Sequence, residues 1–214
     1  MGLLRRETAD LLLRADFGKI VELSLNNKRV FRRLISLSYD KEDILSWRAI
    51  EAIGRAVGSL AGRDPVAARN IVHRLLWSVS DESGGIGWSA PEMLAEIVIH
   101  SNGVYNDLPP IILSFHEEEP FLKGVLWAMG RLADTGAAYV DGASELTMKS
   151  LGHSDPAVRG LALWAATKLK VHDIRERARG MLNDKERFKF YEGRELLDMT
   201  VGDMAEICTG HTKS

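Results

Sequence analysis

A nine-residue segment built around a tryptophan recurs along the chain, and this recurrence restricts the fold more than any other feature. Placing Trp47-Arg48-Ala49-Ile50-Glu51-Ala52-Ile53-Gly54-Arg55 over Trp88-Ser89-Ala90-Pro91-Glu92-Met93-Leu94-Ala95-Glu96 aligns both tryptophans and both glutamates at a shift of 41 residues. Two more copies follow, Lys123-Gly124-Val125-Leu126-Trp127-Ala128-Met129-Gly130-Arg131 and Gly160-Leu161-Ala162-Leu163-Trp164-Ala165-Ala166-Thr167-Lys168. Their small residue, Gly54, Ala95, Gly130 or Thr167, returns at spacings of 41, 35 and 37. Periods of about 20–50 residues belong to arrays in which one supersecondary unit stacks on the next. A small residue at the same place in each copy lets neighbouring helices approach closely.

The six prolines punctuate that array. Pro65 and Pro156 each follow an aspartate, Asp64 and Asp155, and proline in the first turn after an aspartate cap marks a helix start. Pro91 lies in Ser89-Ala90-Pro91-Glu92, the spacing of a capping box. Pro109 and Pro110 follow Asp107 and Pro120 follows Glu119, so all six prolines open helices and none interrupts one. Between them apolar residues return every three or four positions, as in Val30, Phe31, Leu34 and Leu37 or Val72, Leu75, Leu76 and Val79. The chain therefore reads as helix after helix up to about residue 185. Its end differs. The run from Arg187 to Leu197 holds two β-prone stretches around Glu192-Gly193, which predicts a hairpin. Thr200-Val201-Gly202-Asp203 has the form of a cap for a short last helix ending near Cys208.

Asp155-Pro156-Ala157-Val158-Arg159, followed by Ala162, Ala165 and Leu169, resembles the HEAT-like repeat of the phycobilisome-lyase type. Ala128-Met129-Gly130-Arg131-Leu132 and Ala52-Ile53-Gly54-Arg55 look like its Ala-Leu-Gly-x-Leu end. The resemblance runs from about residue 20 to residue 185. It implies an all-α fold, with residues 1–185 forming an α-solenoid of about five HEAT-like helix pairs whose aligned helices make the inner, concave layer. Residues 186–214, the small C-terminal β-hairpin and short last helix, would cap the array. Only the last copy carries the Asp-Pro-x-Val-Arg start, and the second has a Gly-rich insertion. Such repeats serve scaffolds, lyases and a few enzymes, so they specify architecture more sharply than function.

Charge narrows the partner. Lys and Arg against Asp and Glu give +5 over residues 1–80, −9 over 81–145 and +2 over 146–214. A nucleic-acid binder normally carries a continuous basic stripe, so nucleic acid is not the expected partner along the whole length. The single cysteine, Cys208, closes no internal disulfide and asks for no oxidising compartment. No apolar run approaches the ~18 residues of a membrane span, residues 1–14 carry charges where a signal peptide needs its apolar stretch, and Gly2 has Arg6 where a myristoylation motif needs Ser or Thr. The expectation is a cytoplasmic chain with no membrane attachment.

A helical wheel at ~100° per residue separates the faces of the aligned helices. With Gly54, Ala95, Gly130 and Thr167 as origin, positions −5, −4, −2, −1 and +2 are almost all apolar and form the expected core side. Positions −7, −3 and +1 fall opposite. They hold Trp47, Glu51 and Arg55; Trp88, Glu92 and Glu96; Lys123, Trp127 and Arg131; Gly160, Trp164 and Lys168. Four of the five tryptophans thus share a stripe with charged residues, the mixture of which binding hot spots are made. If that stripe faces an open groove, Trp127 and Trp164 sit on adjacent inner helices with at least one ring edge reachable by solvent.

The other motifs carry less. Residues 80–87, Ser-Asp-Glu-Ser-Gly-Gly-Ile-Gly, lack a P-loop lysine and a preceding strand, and Asp81 and Glu82 would repel phosphate. His116-Glu117 stands alone, whereas a metal site needs three or four protein ligands. Lys28, Arg29, Arg32 and Arg33 form a basic helix edge. No catalytic triad, cofactor motif or metal set is indicated. The expected function is a non-catalytic, protein- or peptide-binding scaffold module using the concave tryptophan and charged stripe. The alternative comes from resemblance to HEAT-like DNA glycosylases: Trp127 and Trp164 would cradle a damaged base, Glu92 or Glu96 would stabilise developing positive charge, and Arg131 would touch phosphate.

Overall fold

The computed structural model describes residues 2–79, 87–135 and 141–210, so the Gly-rich stretch lies, up to residue 86, outside the described residues. By contact the chain falls into two compact units, residues 1–108 with 193–195, and residues 109–192 with 196–214. The division expected near residue 185 lies inside the second unit.

The first unit contains α1 (Gly2–Leu13), α2 (Phe17–Asn26), α3 (Arg29–Leu37), α4 (Ile44–Ala61), α5 (Pro65–Val79) and, after a single 3-10 turn at Gly87–Ser89, α6 (Ala90–His100). Short polar side chains start these helices by taking up free backbone N–H groups. Asp16 accepts from Lys19 N at 3.2 Å, Asp43 from Leu45 N at 2.9 Å and Asp64 from Ala67 N at 2.9 Å. The capping box expected at the start of α6 does not form, for a physical reason at the other end of α3. The last carbonyls of a helix lack partners within it, and two serine hydroxyls supply them: Ser46 donates to the Leu37 carbonyl and Ser89 to the Ser38 carbonyl. With its hydroxyl committed there, Ser89 makes no side-chain cap on α6.

α4 packs along α6, and the aligned small residues lie at that seam. Gly54 faces the Glu96 backbone and Gly58, one turn on, faces the His100 carbonyl. Around the seam Ile50, Ile53 and Val57 of α4 and Met93, Leu94 and Ile97 of α6 are buried, with Ile20, Leu34 and Leu75 completing the core from α2, α3 and α5.

The second unit runs through α7 (Leu108–Ser114), α8 (Glu119–Leu132), α9 (Ala143–Ser150), α10 (Pro156–Lys168), α11 (Ile174–Arg179), strands β1 (Arg187–Glu192) and β2 (Glu195–Thr200), and α12 (Val201–Thr209). All six prolines fall in the first turn of a helix, as their spacing predicts. The hairpin and the last helix are present as expected. β1 and β2 form a two-stranded antiparallel sheet, and Thr200 and Asp203 make a reciprocal capping box on α12. The turn needs two residues at positive φ, as two-residue hairpin loops do. Gly193 adopts φ 61° without cost, and Arg194 adopts φ 70°, held there by contacts described below.

Asp155 shows how a cap and a charge act together. Its carboxylate accepts from Ala157 N at 2.8 Å and from Lys123 Nζ at 3.1 Å. Burial works to raise its pKa, but the hydrogen bonds from Lys123 and Ala157 and the charge of Lys123 outweigh burial and hold it below the usual value. A carboxyl with a depressed folded-state pKa contributes stability above its unfolded pKa and loses it as pH falls through the folded value. Asp155→Ala is therefore expected to cost about 1 kcal/mol at neutral pH, with the gap to the native chain closing as the pH drops below ~4. Thermal melts of both proteins across that range check it; a gap that stays constant down to pH 2 would refute the charge contribution.

Candidate functional site

The aligned helices place the sequence-predicted stripe in two separate halves. In the second unit α8 and α10 lie side by side, so Trp127 and Trp164 do sit on adjacent helices. Their rings are not reachable. Trp127 is 1% exposed and Trp164 4% exposed, because strand β1 lies over the face that the wheel leaves for a ligand. The Trp127 indole donates to the Tyr191 carbonyl at 3.1 Å, and the two rings are tilted with centroids 6.4 Å apart. Trp164 meets Phe190 edge-on at 5.1 Å and donates to the Glu192 carboxylate at 3.3 Å. Phe188 covers Gly160, and Trp164 in turn covers Gly130; neither glycine has room for a side chain.

The charged members of this half frame the covered rings. The Arg131 guanidinium lies 5.6 Å from the centre of the Trp127 ring. Lys168 reaches Asp134 at 3.3 Å and Glu192 at 3.7 Å. Where an open groove was expected, the stripe is occupied by the chain's own extended segment.

In the first unit the stripe is a row of buried carboxylates, each beside a basic side chain. Glu51 accepts from Arg55 Nε at 3.0 Å and Nη2 at 2.8 Å, and Arg194 Nε stands 3.7 Å away. Both guanidiniums lie 5.1 Å from the centre of the Phe17 ring. The Arg194 carbonyl also accepts from Arg48, which fixes the residue at its unfavourable φ. Glu92 pairs with Lys41, whose ammonium also lies over the Trp47 ring at 4.8 Å, while the Trp47 indole donates to the Lys41 carbonyl at 3.0 Å. Glu96 has His100 Nε2 at 3.4 Å. Buried charges must be paired, since removing one partner typically costs about 3–5 kcal/mol; these pairings make the row an internal network. Among the ten candidates Trp47, Glu51, Arg55, Trp88, Glu92, Glu96, Trp127, Arg131, Trp164 and Lys168, only Trp88 is largely open to solvent, at 57%.

The wheel identified polarity correctly and coverage wrongly. Lys41, His100 and Arg194, the basic side chains set beside the row, were not singled out. Neither was Trp77, the fifth tryptophan, which projects from α5 and is 81% exposed. Its signal lay in the sequence: the buried residues Ala68, Val72, Leu75 and Val79 set the inward face of α5, and Trp77 falls outside that phase. α5 packs against the turn that carries Trp88.

Cys208 is buried, receives a hydrogen bond from Thr167 at 2.9 Å and has its thiol pushed up by burial, the reverse of an activated nucleophile. It borders a cleft of about 530 Å³ rimmed by Lys170, Arg175 and Arg179 but also by Asp173 and Glu176, so the cleft presents no single charge. Among the described residues no group of His, Cys, Asp and Glu is placed to hold a metal ion, and no helix is long and apolar enough to cross a membrane.

No family model matches the chain, and no solved structure matches it. It is similar to an uncharacterized protein of Archaeoglobus fulgidus, 28% identical over 174 residues that cover 80% of this chain and 91% of that one.

Proposed function

We propose that the chain is a HEAT-like α-solenoid module that binds a protein or peptide segment in the cytoplasm and carries out no reaction. The pairings α3 with α4, α5 with α6, α9 with α10 and α11 with α12 support the helix-pair repeat, as does the close approach of successive aligned helices, α4 with α6 and α8 with α10. The observation that carries the binding reading is the contrast among tryptophans. Three are enclosed, whereas Trp77 and Trp88 stand in solvent at adjoining places in one unit. Large exposed aromatic side chains are the residues most enriched at binding hot spots.

The DNA glycosylase reading asks for Trp127 and Trp164 around an extruded base and for Glu92 or Glu96 at a reacting centre. Both rings are covered by β1 and both carboxylates are buried, Glu92 beside Lys41 and Glu96 beside His100, so nothing in the geometry favours it.

The test is retention from a lysate of the native host at physiological salt. The native chain should hold a defined protein, and a Trp77→Ala/Trp88→Ala double variant should hold at least tenfold less while melting within about 2 °C of it, since surface substitutions rarely change stability by more than ~0.5 kcal/mol. Salt-sensitive retention of duplex DNA in place of a protein would overturn the proposal.

A further inference from the structure

The outward face of α5 has a composition that its structural role does not explain. Ala68, Val72, Leu75 and Val79 point inward. On the opposite side Val66, Asn70, His73 and Trp77 follow one another at intervals of three or four, within a sector of about 60° and along about 16 Å of helix axis. Val66 is 72% exposed at one end of this stripe and Trp77 is 81% exposed at the other. Arg69 and Arg74 flank it, one on each side, and no Asp or Glu occurs between residues 65 and 79. An apolar anchor at each end with cations along the edges is the complement of an amphipathic helix that is acidic on its polar flanks.

The two arginines that flank the stripe are only partly neutralised from within. Arg69 reaches Asp107 at 3.6 Å and lies over the Tyr105 ring. Arg74 makes no ion pair among the described residues.

From this face we infer that α5 docks an acidic amphipathic helical segment of a partner protein, with Trp77 as the main anchor. The inference rests on the binding-module reading and names its partner class. A peptide fits better than a nucleic acid because phosphate binding gains from many cationic contacts at once, typically six to ten in a duplex binder. The stripe offers two arginines, one of them already beside Asp107, and puts apolar side chains at its ends.

A displayed library of random peptides of about 16 residues, some 24 Å as a helix, is panned on the full chain. The expected winners are net acidic with apolar residues at i, i+3 or i+4 and i+7. As synthetic peptides they should bind at least tenfold more weakly to Trp77→Ala and to Arg74→Glu, bind as well to Ile207→Ala, a change at an exposed apolar residue of the other unit, as to the native chain, and lose affinity as salt rises. Absence of enriched peptides, winners without acidic bias, or equal binding to Trp77→Ala overturns the inference. So does displacement of the winners by equimolar duplex DNA, or self-association of the chain that Trp77→Ala abolishes, which would make a second copy the occupant. Host-protein retention that depends on Trp88 alone, with no α5-directed peptides, would leave the binding module standing and remove this surface.

Discussion

Gly54→Leu is expected to lower the melting temperature of the full chain by about 6–12 °C. A Cβ added at Gly54 would stand 2.5 Å from the Glu96 carbonyl carbon and 2.6 Å from its oxygen, and one added at Gly58 would crowd the His100 carbonyl in the same way. These neighbours are backbone atoms of α6. They move only if the whole helix moves, and α6 is buried along nearly its full length. Overpacking ordinarily costs about 1–3 kcal/mol where side chains can adjust; with backbone opposite, about 3 kcal/mol or more is expected, and each kcal/mol shifts the midpoint by ~2–4 °C in a chain of this length. Gly152→Ala is the control, because nothing lies within 4 Å of a Cβ there. Circular dichroism melts of the three proteins decide it. A Gly54→Leu variant that melts with the native chain would mean that α4 and α6 do not approach as closely as described.

Trp127→Ala should be as damaging for a different reason. Truncating a buried tryptophan loses apolar burial and leaves a cavity, together about 3–5 kcal/mol, and the Tyr191 carbonyl loses its indole donor. Trp88→Ala removes an equally large side chain from solvent and should change stability by no more than ~0.5 kcal/mol. One denaturation series therefore separates the enclosed tryptophans from the exposed ones. Equal stabilities for Trp127→Ala and Trp88→Ala would show that β1 does not cover α8.

What could be read from the sequence was local. The prolines and their caps mark helix starts because their geometry depends on neighbours a few residues away, and Gly54 and Gly130 mark close approaches because no other residue fits. The hairpin turn likewise lies in four consecutive residues. Coverage is different, since it depends on groups brought from far along the chain. Glu51 and Glu92 read as surface residues until Arg194 and Lys41 are set beside them. Trp127 and Trp164 read as a groove until Phe190 and Tyr191 are laid across them. Ser89 carries a capping-box spacing, yet its hydroxyl satisfies a carbonyl at the end of α3. A helical wheel reports which side of a helix is polar and is silent on what lies above it.

Strand β1 also sets a timetable for synthesis. The ribosome makes Gly160 and Trp164 well before Phe188 and Phe190, the rings that later cover them. At about 5–20 residues per second, the aromatic face of α8 and α10 waits roughly one to five seconds for its cover, longer if the exit tunnel is counted. During that interval two tryptophans and Gly160 are uncovered in a chain still being made. A message truncated after residue 185 would release a product permanently in that state, with this aromatic face bare, and chaperone capture or proteolysis is its expected fate.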